Sequence, residues 1–297
     1  MGEPETFLAA TDFSERADAA LERAAGLAAR HGARLLLLHV VERYSLETLR
    51  RLGAAAGAGP LPGLVERARE VLAERSARLA QTHGIAVQPE VAVGRVYREI
   101  VDRAGARGAA LTVIGGHGEH FFRDLILGAT AQKVVRHNEG STLVVKQGAM
   151  RPYGRVLVPV DFSPGSRAAL EAARRLAPDA TLTILHAFEL PFEGKLFYAG
   201  VDRDVVEQYV QAARREAQAD LDALLLEWGA EGERPEARVV HGYAPEVIVN
   251  AARHDAFDLV ALGARGRSEL ARFVLGSVSL HVMMEAPCDV LVVNKVR

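Results

Sequence analysis

Short, continuous apolar runs alternate along this chain with longer stretches in which apolar residues recur every three or four positions. Residues 7–10, 35–38, 111–114 and 143–145 are runs of the first kind, and so are 156–158, 259–262 and 291–293. Charge-free runs of this length suit strands of a parallel sheet that is covered by helices on both faces. The first helical stretch begins after Ser14, where Ala17, Ala20, Leu21, Ala24, Ala25 and Ala28 form one narrow apolar face. Ser14 and Ser163 stand where N-caps belong, and Pro164 suits the first helical position. Further helices are predicted over 64–82, 97–104, 205–228 and 245–254, with strands over 87–93 and 236–240. The predicted order is β1α1β2α2β3α3β4α4β5, and the chain runs through it twice.

The duplication is visible residue by residue at an offset near 148. Phe7-Leu8-Ala9-Ala10-Thr11-Asp12-Phe13-Ser14 matches Val156-Leu157-Val158-Pro159-Val160-Asp161-Phe162-Ser163, and Leu35-Leu36-Leu37-Leu38-His39-Val40 matches Leu182-Thr183-Ile184-Leu185-His186-Ala187. Thr112-Val113-Ile114-Gly115 matches Val260-Ala261-Leu262-Gly263, and Leu143-Val144-Val145 matches Leu291-Val292-Val293. Between the copies, residues 146–155 carry Gly148, Pro152 and Gly154, which interrupt the pattern as a connector does. Two domains are therefore expected, 1–149 and 150–297, each an α/β unit with an open, parallel, five-stranded sheet and helices on both faces. Open sheets of this kind bind ligands beyond the C-terminal ends of their strands, where the strand order reverses.

Composition narrows the function. The 297 residues are 49% hydrophobic and 25% charged, as in ordinary globular proteins. The formal net charge is -2, with 19 basic and 17 acidic side chains up to Ala149 and 17 against 21 after it. Neither half has the basic surplus of a nucleic-acid binder. No apolar run approaches the roughly 18 residues of a membrane span, and residues 1–6 lack the basic start and apolar core of a secretory signal. The single cysteine, Cys288, excludes an internal disulfide and fits a reducing cytoplasm. It begins an apolar strand and reads as a small core residue.

The most distinctive chemistry follows the fourth strand of the second copy. Gly263-Ala264-Arg265-Gly266 is followed after nine residues by Gly276-Ser277 and a helical stretch over 278–284. Glycines there permit positive φ and close approach of a ligand, and the first amides of the helix are unpaired donors at its positive end. Such a loop is suited to cradle phosphate, with Ser277 adding a hydroxyl that either meets a phosphate oxygen or caps the helix. Arg265 and Arg267 supply positive charge beside it. Asp161, at the end of the first strand of the same copy, is placed to accept hydrogen bonds from ribose hydroxyls or to help hold Mg2+, and equally to begin the next helix.

Asp-Phe-Ser after the first strand, and the glycine pattern after the fourth, resemble the universal stress protein family. The segment LGARGRSELARFVLGSVSLHVMMEAPCDVLVV is similar to that family's carboxyl-terminal signature, and the likeness extends over both copies. The resemblance implies a tandem protein of two Rossmann-like domains of the adenine-nucleotide-binding type, of the branch that binds ATP (or ADP or AMP) with Mg2+. It implies that Asp161 meets the ribose, Gly263, Gly266, Gly276 and Ser277 the phosphates, and backbone groups of Ala187 the adenine. The corresponding first-copy positions are Asp12, Val40, Gly115, Gly118 and Gly128. There Gly128 is followed by Ala129 and only then by Thr130, so the hydroxyl directly after the third glycine is missing. Related single-domain proteins pair through their last strands, which implies an internal pseudo-dimer through 141–146 and 289–296 and leaves a further homodimer open.

Other readings are weaker. His117, Glu119 and His120 crowd the first glycine loop in a zinc-like set, but polar residues are expected in such a loop anyway, and no protein metal site is assigned. His39 and His186 end the second strands and read as buried, hydrogen-bonded residues. None of the four lysines has the spacing of a phosphate-binding P-loop, and there is no Gly-x-Ser-x-Gly. Rapid phosphoryl transfer lacks visible machinery, and no catalytic residue is assigned. The expected function is a nucleotide-dependent sensor or regulator in stress response, slow or inert in ATP hydrolysis. The alternative is a non-catalytic, chaperone-like interaction protein that binds another small ligand or an unknown protein partner. Segments 43–63 and 190–201 follow the second strands, where they should border the cleft.

Overall fold

The computed structural model describes residues 4–44, 47–48, 51, 63–116, 127–148, 151–192, 195, 199–228, 235–266 and 275–294. The chain divides into two compact units, Met1–Pro152 and Tyr153–Arg297. The first contains β1 (Thr6–Thr11), α1 (Glu15–His31), β2 (Arg34–Glu42), α2 (Leu64–His83), β3 (Val87–Gly94), α3 (Val96–Ala106), β4 (Leu111–Gly115), α4 (Ala129–His137) and β5 (Ser141–Val145). The second contains β6 (Arg155–Pro159), α5 (Pro164–Leu176), β7 (Thr181–Phe188), α6 (Arg203–Trp228), β8 (Glu236–His241), α7 (Ala244–His254), β9 (Leu259–Gly263), α8 (Ser277–Glu285) and β10 (Asp289–Val293). This is the strand-helix alternation that the hydrophobic pattern predicts, in both copies.

Within the first unit the strands lie side by side in the order β3-β2-β1-β4-β5, and within the second in the order β8-β7-β6-β9-β10. The pairs described inside each unit are parallel. Leu35, Leu36, Leu37 and Leu38 are all buried, and so are Val290, Leu291, Val292 and Val293. Successive strand residues face opposite sides, so unbroken burial means that both faces are covered. In the first unit α1 packs on α2 and on β1 and β4, while α3 packs on α4. In the second, α5 lies on β6, β9 and β10, while α7 packs on α8.

Local chemistry fixes the entry of each first helix. The Ser14 hydroxyl accepts from the Ala17 amide at 3.2 Å, and Ser163 accepts from Ser166 at 3.2 Å. In each unit the strand order reverses between the first and fourth strands, β1 and β4 or β6 and β9, and a crevice of this fold opens beyond their carboxyl ends. Asp12 and Asp161 follow β1 and β6, and Gly115 and Gly263 end β4 and β9. The topology therefore brings the two motifs singled out in the sequence to one sheet edge.

Candidate functional site

In the second unit, β6 delivers Asp161 into a tight turn before α5. Asp161 Oδ1 accepts from the Ser163 amide at 3.1 Å and from the Ser163 hydroxyl at 2.5 Å. The next residue, Phe162, has φ 64, and its first-unit counterpart Phe13 has φ 68. Left-handed backbone is unusual for a bulky side chain and costs on the order of 1–3 kcal/mol, so surrounding contacts must hold it. Each phenylalanine ring lies against a histidine of the neighbouring strand, and the strands run on past these histidines, where the sequence suggests that they end, to Glu42 in β2 and Phe188 in β7. Phe13 stacks on His39 with centroids 4.0 Å apart, and Phe162 meets His186 at 4.5 Å. His39 Nδ1 is 2.8 Å from the Thr11 carbonyl oxygen, and His186 Nδ1 is 2.8 Å from that of Val160. A carbonyl only accepts, so in both rings Nδ1 carries the proton.

The glycine loop meets this turn directly. A Cβ on Gly266 would lie 2.6 Å from Asp161 Oδ2, so the Asp161 carboxylate and the Gly266 backbone are neighbours although 105 positions separate them. At Gly263 a Cβ would fall 2.7 Å from the carbonyl carbon of Gly165, and at Gly165 one would fall 2.7 Å from the Arg265 carbonyl oxygen. The end of β9 and the first turn of α5 touch backbone to backbone. Positive φ was one of the two expected uses of the motif glycines, beside close approach of a ligand, and none of the described ones adopts it. Gly263 and Gly266 serve close approach, and Gly276 has φ -61 and ψ 148. The Arg265 guanidinium reaches the Asn294 carbonyl at 3.4 Å, beyond the end of β10.

The loop closes where the Gly276 amide donates to the Ala264 carbonyl at 2.8 Å. Gly276 is the N-cap of α8 and offers no side chain to the first-turn amides, which have no intrahelical acceptors. Ser277 is therefore the first helical residue and not the cap. Its side chain is exposed, with no hydrogen bond to another described residue. Ser279 Oγ donates to the Gly263 carbonyl at 2.7 Å and ties α8 to β9.

Ala187 and Val40 occupy equivalent backbone positions. The Leu185 carbonyl accepts from Val160 beside β6, so by the two-residue alternation the N–H and C=O of Ala187 face the same side, past the last β6 residue. In β2 the Arg34 amide donates toward β1, to Glu5, and the same alternation turns the peptide groups of Val40 past Thr11. Both strands thus expose one peptide edge at the switch point.

The first unit repeats this framework with different side chains. Asp12 Oδ1 accepts from the Ser14 amide at 3.1 Å and the Ser14 hydroxyl at 2.6 Å. The Gly128 amide donates to Gly116 at 2.9 Å, the counterpart of the bond from Gly276 to Ala264. Gly128 caps α4, Ala129 is its first residue, and Thr130 follows, exposed, one position late. Arg75 of α2 also donates to the Phe13 carbonyl at 3.0 Å, lies 5.1 Å from the Phe13 ring centroid and pairs with Asp18. Arg167 of α5 stands where the first unit has Asp18, and it pairs with Glu227. Gly118, Arg267 and the His117-Glu119-His120 set lie outside the described residues.

Sequence reasoning placed His39 and His186 in hydrogen bonds but missed their ring contacts and the left-handed phenylalanines. The available signal was the repeated Asp-Phe-Ser paired with a repeated His in the second strand. Burial lowers the pKa of His39, against the raising effects of the Thr11 bond and of Asp12, and Arg75 adds to the lowering. Below its ordinary value of about 6.5, the unfolded chain binds a proton that the native state resists. Stability is then full above that pH and falls as the pH drops toward the folded pKa. The thermal midpoint measured between about pH 7 and 5 is expected to fall less steeply in His39→Asn, which keeps a donor and cannot titrate; identical slopes would dismiss this role.

The fold and its crevice define a doubly wound, Rossmann-like α/β protein. The chain matches the Universal stress protein family over residues 4–146 and again over 152–294, and it belongs to that family. A universal stress protein of Mycolicibacterium smegmatis is 28% identical over 97% of this chain and 96% of its own. The crystal structure of a universal stress protein from Archaeoglobus fulgidus has a TM-score of 0.72 at 21% identity, covering 98% of this chain and 99% of that one. A universal stress protein solved in complex with cAMP covers 48% of this chain and 98% of its own, with a TM-score of 0.36 and 24% identity. Among the described residues no helix is long and apolar enough to cross a membrane.

Proposed function

We propose that the second unit binds ATP, or ADP or AMP, with Mg2+ carried on the phosphates, and that the protein is a nucleotide-dependent sensor or regulator in stress response. One observation carries this reading. The Asp161 carboxylate stands against the Gly266 backbone at the switch point, where a single added Cβ would fill the space, and α8 opens without a side-chain cap. That arrangement suits a carboxylate facing ribose hydroxyls and main-chain amides facing phosphates. In it, Ala187 meets the adenine edge through its peptide groups, and Ser277 adds a hydroxyl donor to the phosphates alongside Gly263, Gly276 and the Arg265-Gly266-Arg267 stretch.

In the first unit Asp12, Val40, Gly115, Gly118 and Gly128 take the corresponding parts, Ala129 stands where the second unit has Ser277, Thr130 offers its hydroxyl one position late, and binding there is weaker. The four lysines do not form a P-loop, so turnover is slow, below about 1 s⁻¹, where enzymes commonly begin. Calorimetric titration of the purified full chain with MgATP, together with native mass spectrometry, tests the reading. The expected result is saturable binding dominated by one site and a co-purified adenine nucleotide. No binding at about 1 mM ATP, the weak end of the useful affinity scale, overturns it, and a co-purified lipid would favour the interaction-protein alternative.

A further inference from the structure

We propose that His186 is the positioning residue for the Asp161 carboxylate, acting from β7 on both neighbours of that aspartate; this rests on the nucleotide reading above. On one side, His186 Nδ1 donates to the carbonyl of Val160, the residue before Asp161, at 2.8 Å. On the other, its ring lies against the ring of Phe162, the residue after it, with centroids 4.5 Å apart and planes at 40°. A single imidazole therefore brackets the aspartate in sequence and holds Phe162 at φ 64, where a bulky residue would otherwise relax. With its backbone so held, Asp161 keeps Oδ1 on the Ser163 amide and hydroxyl and turns Oδ2 toward Gly266.

The same bracket stands in the first unit, where His39 contacts the Thr11 carbonyl and the Phe13 ring on either side of Asp12. Its presence there, although Ala129 replaces the hydroxyl residue after the third glycine, ties the device to the aspartate turn and not to the glycine loop. His186 touches no ligand in this scheme. Its effect on a nucleotide passes through the carboxylate and concerns the ribose hydroxyls alone.

The test compares ATP with 2′,3′-dideoxy-ATP, which presents no ribose hydroxyl to Asp161, on the full chain. In His186→Leu, ATP affinity is expected to fall about tenfold while dideoxy-ATP affinity stays within about twofold, and the fall should largely vanish in an Asp161→Ala background. His186→Asn, whose amide donates from nearly the place of Nδ1 but brings no ring against Phe162, should recover only part of the loss. Phe162→Gly accepts the left-handed backbone without strain but removes the ring contact, so it should show the same ATP-selective loss even if the leucine variant fails to fold. Equal losses for both nucleotides, additivity with Asp161→Ala, or full ribose discrimination in Phe162→Gly would overturn the proposal. Wild-type protein that binds neither nucleotide would instead overturn the nucleotide reading, and this inference with it.

Discussion

In the proposed nucleotide site, Gly276→Val is expected to cut the ATP affinity of the second unit by about a hundredfold or more while the fold persists. It would obstruct bonds from the first amides of α8 to phosphate, with a loss of about two charge-assisted bonds. Gly276 sits at φ -61 and ψ 148, a conformation open to any residue, so the substitution brings no backbone strain. A Cβ there would lie 3.4 Å from the Ala264 carbonyl oxygen and 3.7 Å from Ser279 Oγ, which is ordinary contact. The added methyl groups would stand beside the first turn of α8, whose amides have no side-chain cap. Titration with MgATP, alongside a thermal melt, separates the two effects. Undiminished affinity would remove Gly276 from the site, and a collapsed melt would move its role from binding to packing.

Valine at position 263, in the same motif, should do the opposite. There a Cβ would fall 2.7 Å from the Gly165 carbonyl carbon, 2.8 Å from its oxygen and 3.1 Å from its Cα, all backbone atoms that no rotamer change can move. The end of β9 and the first turn of α5 would have to separate, carrying Asp161 away from Gly266. Overpacking of this kind costs about 3 kcal/mol, which makes lower resistance to urea the first consequence and lost nucleotide binding the second. The measurement is a denaturation curve of the full chain without ligand. A midpoint like that of the wild type would mean that the two segments part easily and that Gly263 is kept for another reason. With both outcomes, two glycines of one motif would have separable roles, one guarding the mouth of a helix and the other permitting the contact between β9 and α5.

Much of this could be read from the chain alone, because the signals are short. A helix announces itself by an apolar face of Ala17, Ala20, Leu21 and Ala24 after a capping Ser14, all within a dozen residues, and a doubly covered strand by unbroken runs such as residues 35–38. The repeat, the alternation of strand and helix, and the placement of Asp161 and the glycine loop at strand ends follow from such local patterns. Ser277 was ambiguous, since N-cap and first helical residue differ by a single position. Three-dimensional geometry places Gly276 at the cap and Ser277 inside the first turn.

What only the tertiary structure decided are relations between distant residues. The backbone that a Cβ on Gly263 would meet is that of Gly165, the neighbour of Gly266 is Asp161, and a ring that lies against left-handed Phe162 is that of His186. None of these has a signature within its own stretch, because a bulky residue at positive φ violates local preference and survives only through contacts from another strand. Propensity and periodicity are properties of a few consecutive residues and so are written in the sequence; close approach and strain arise where separate elements meet, and they exist only once the sheet has brought those elements to the same edge.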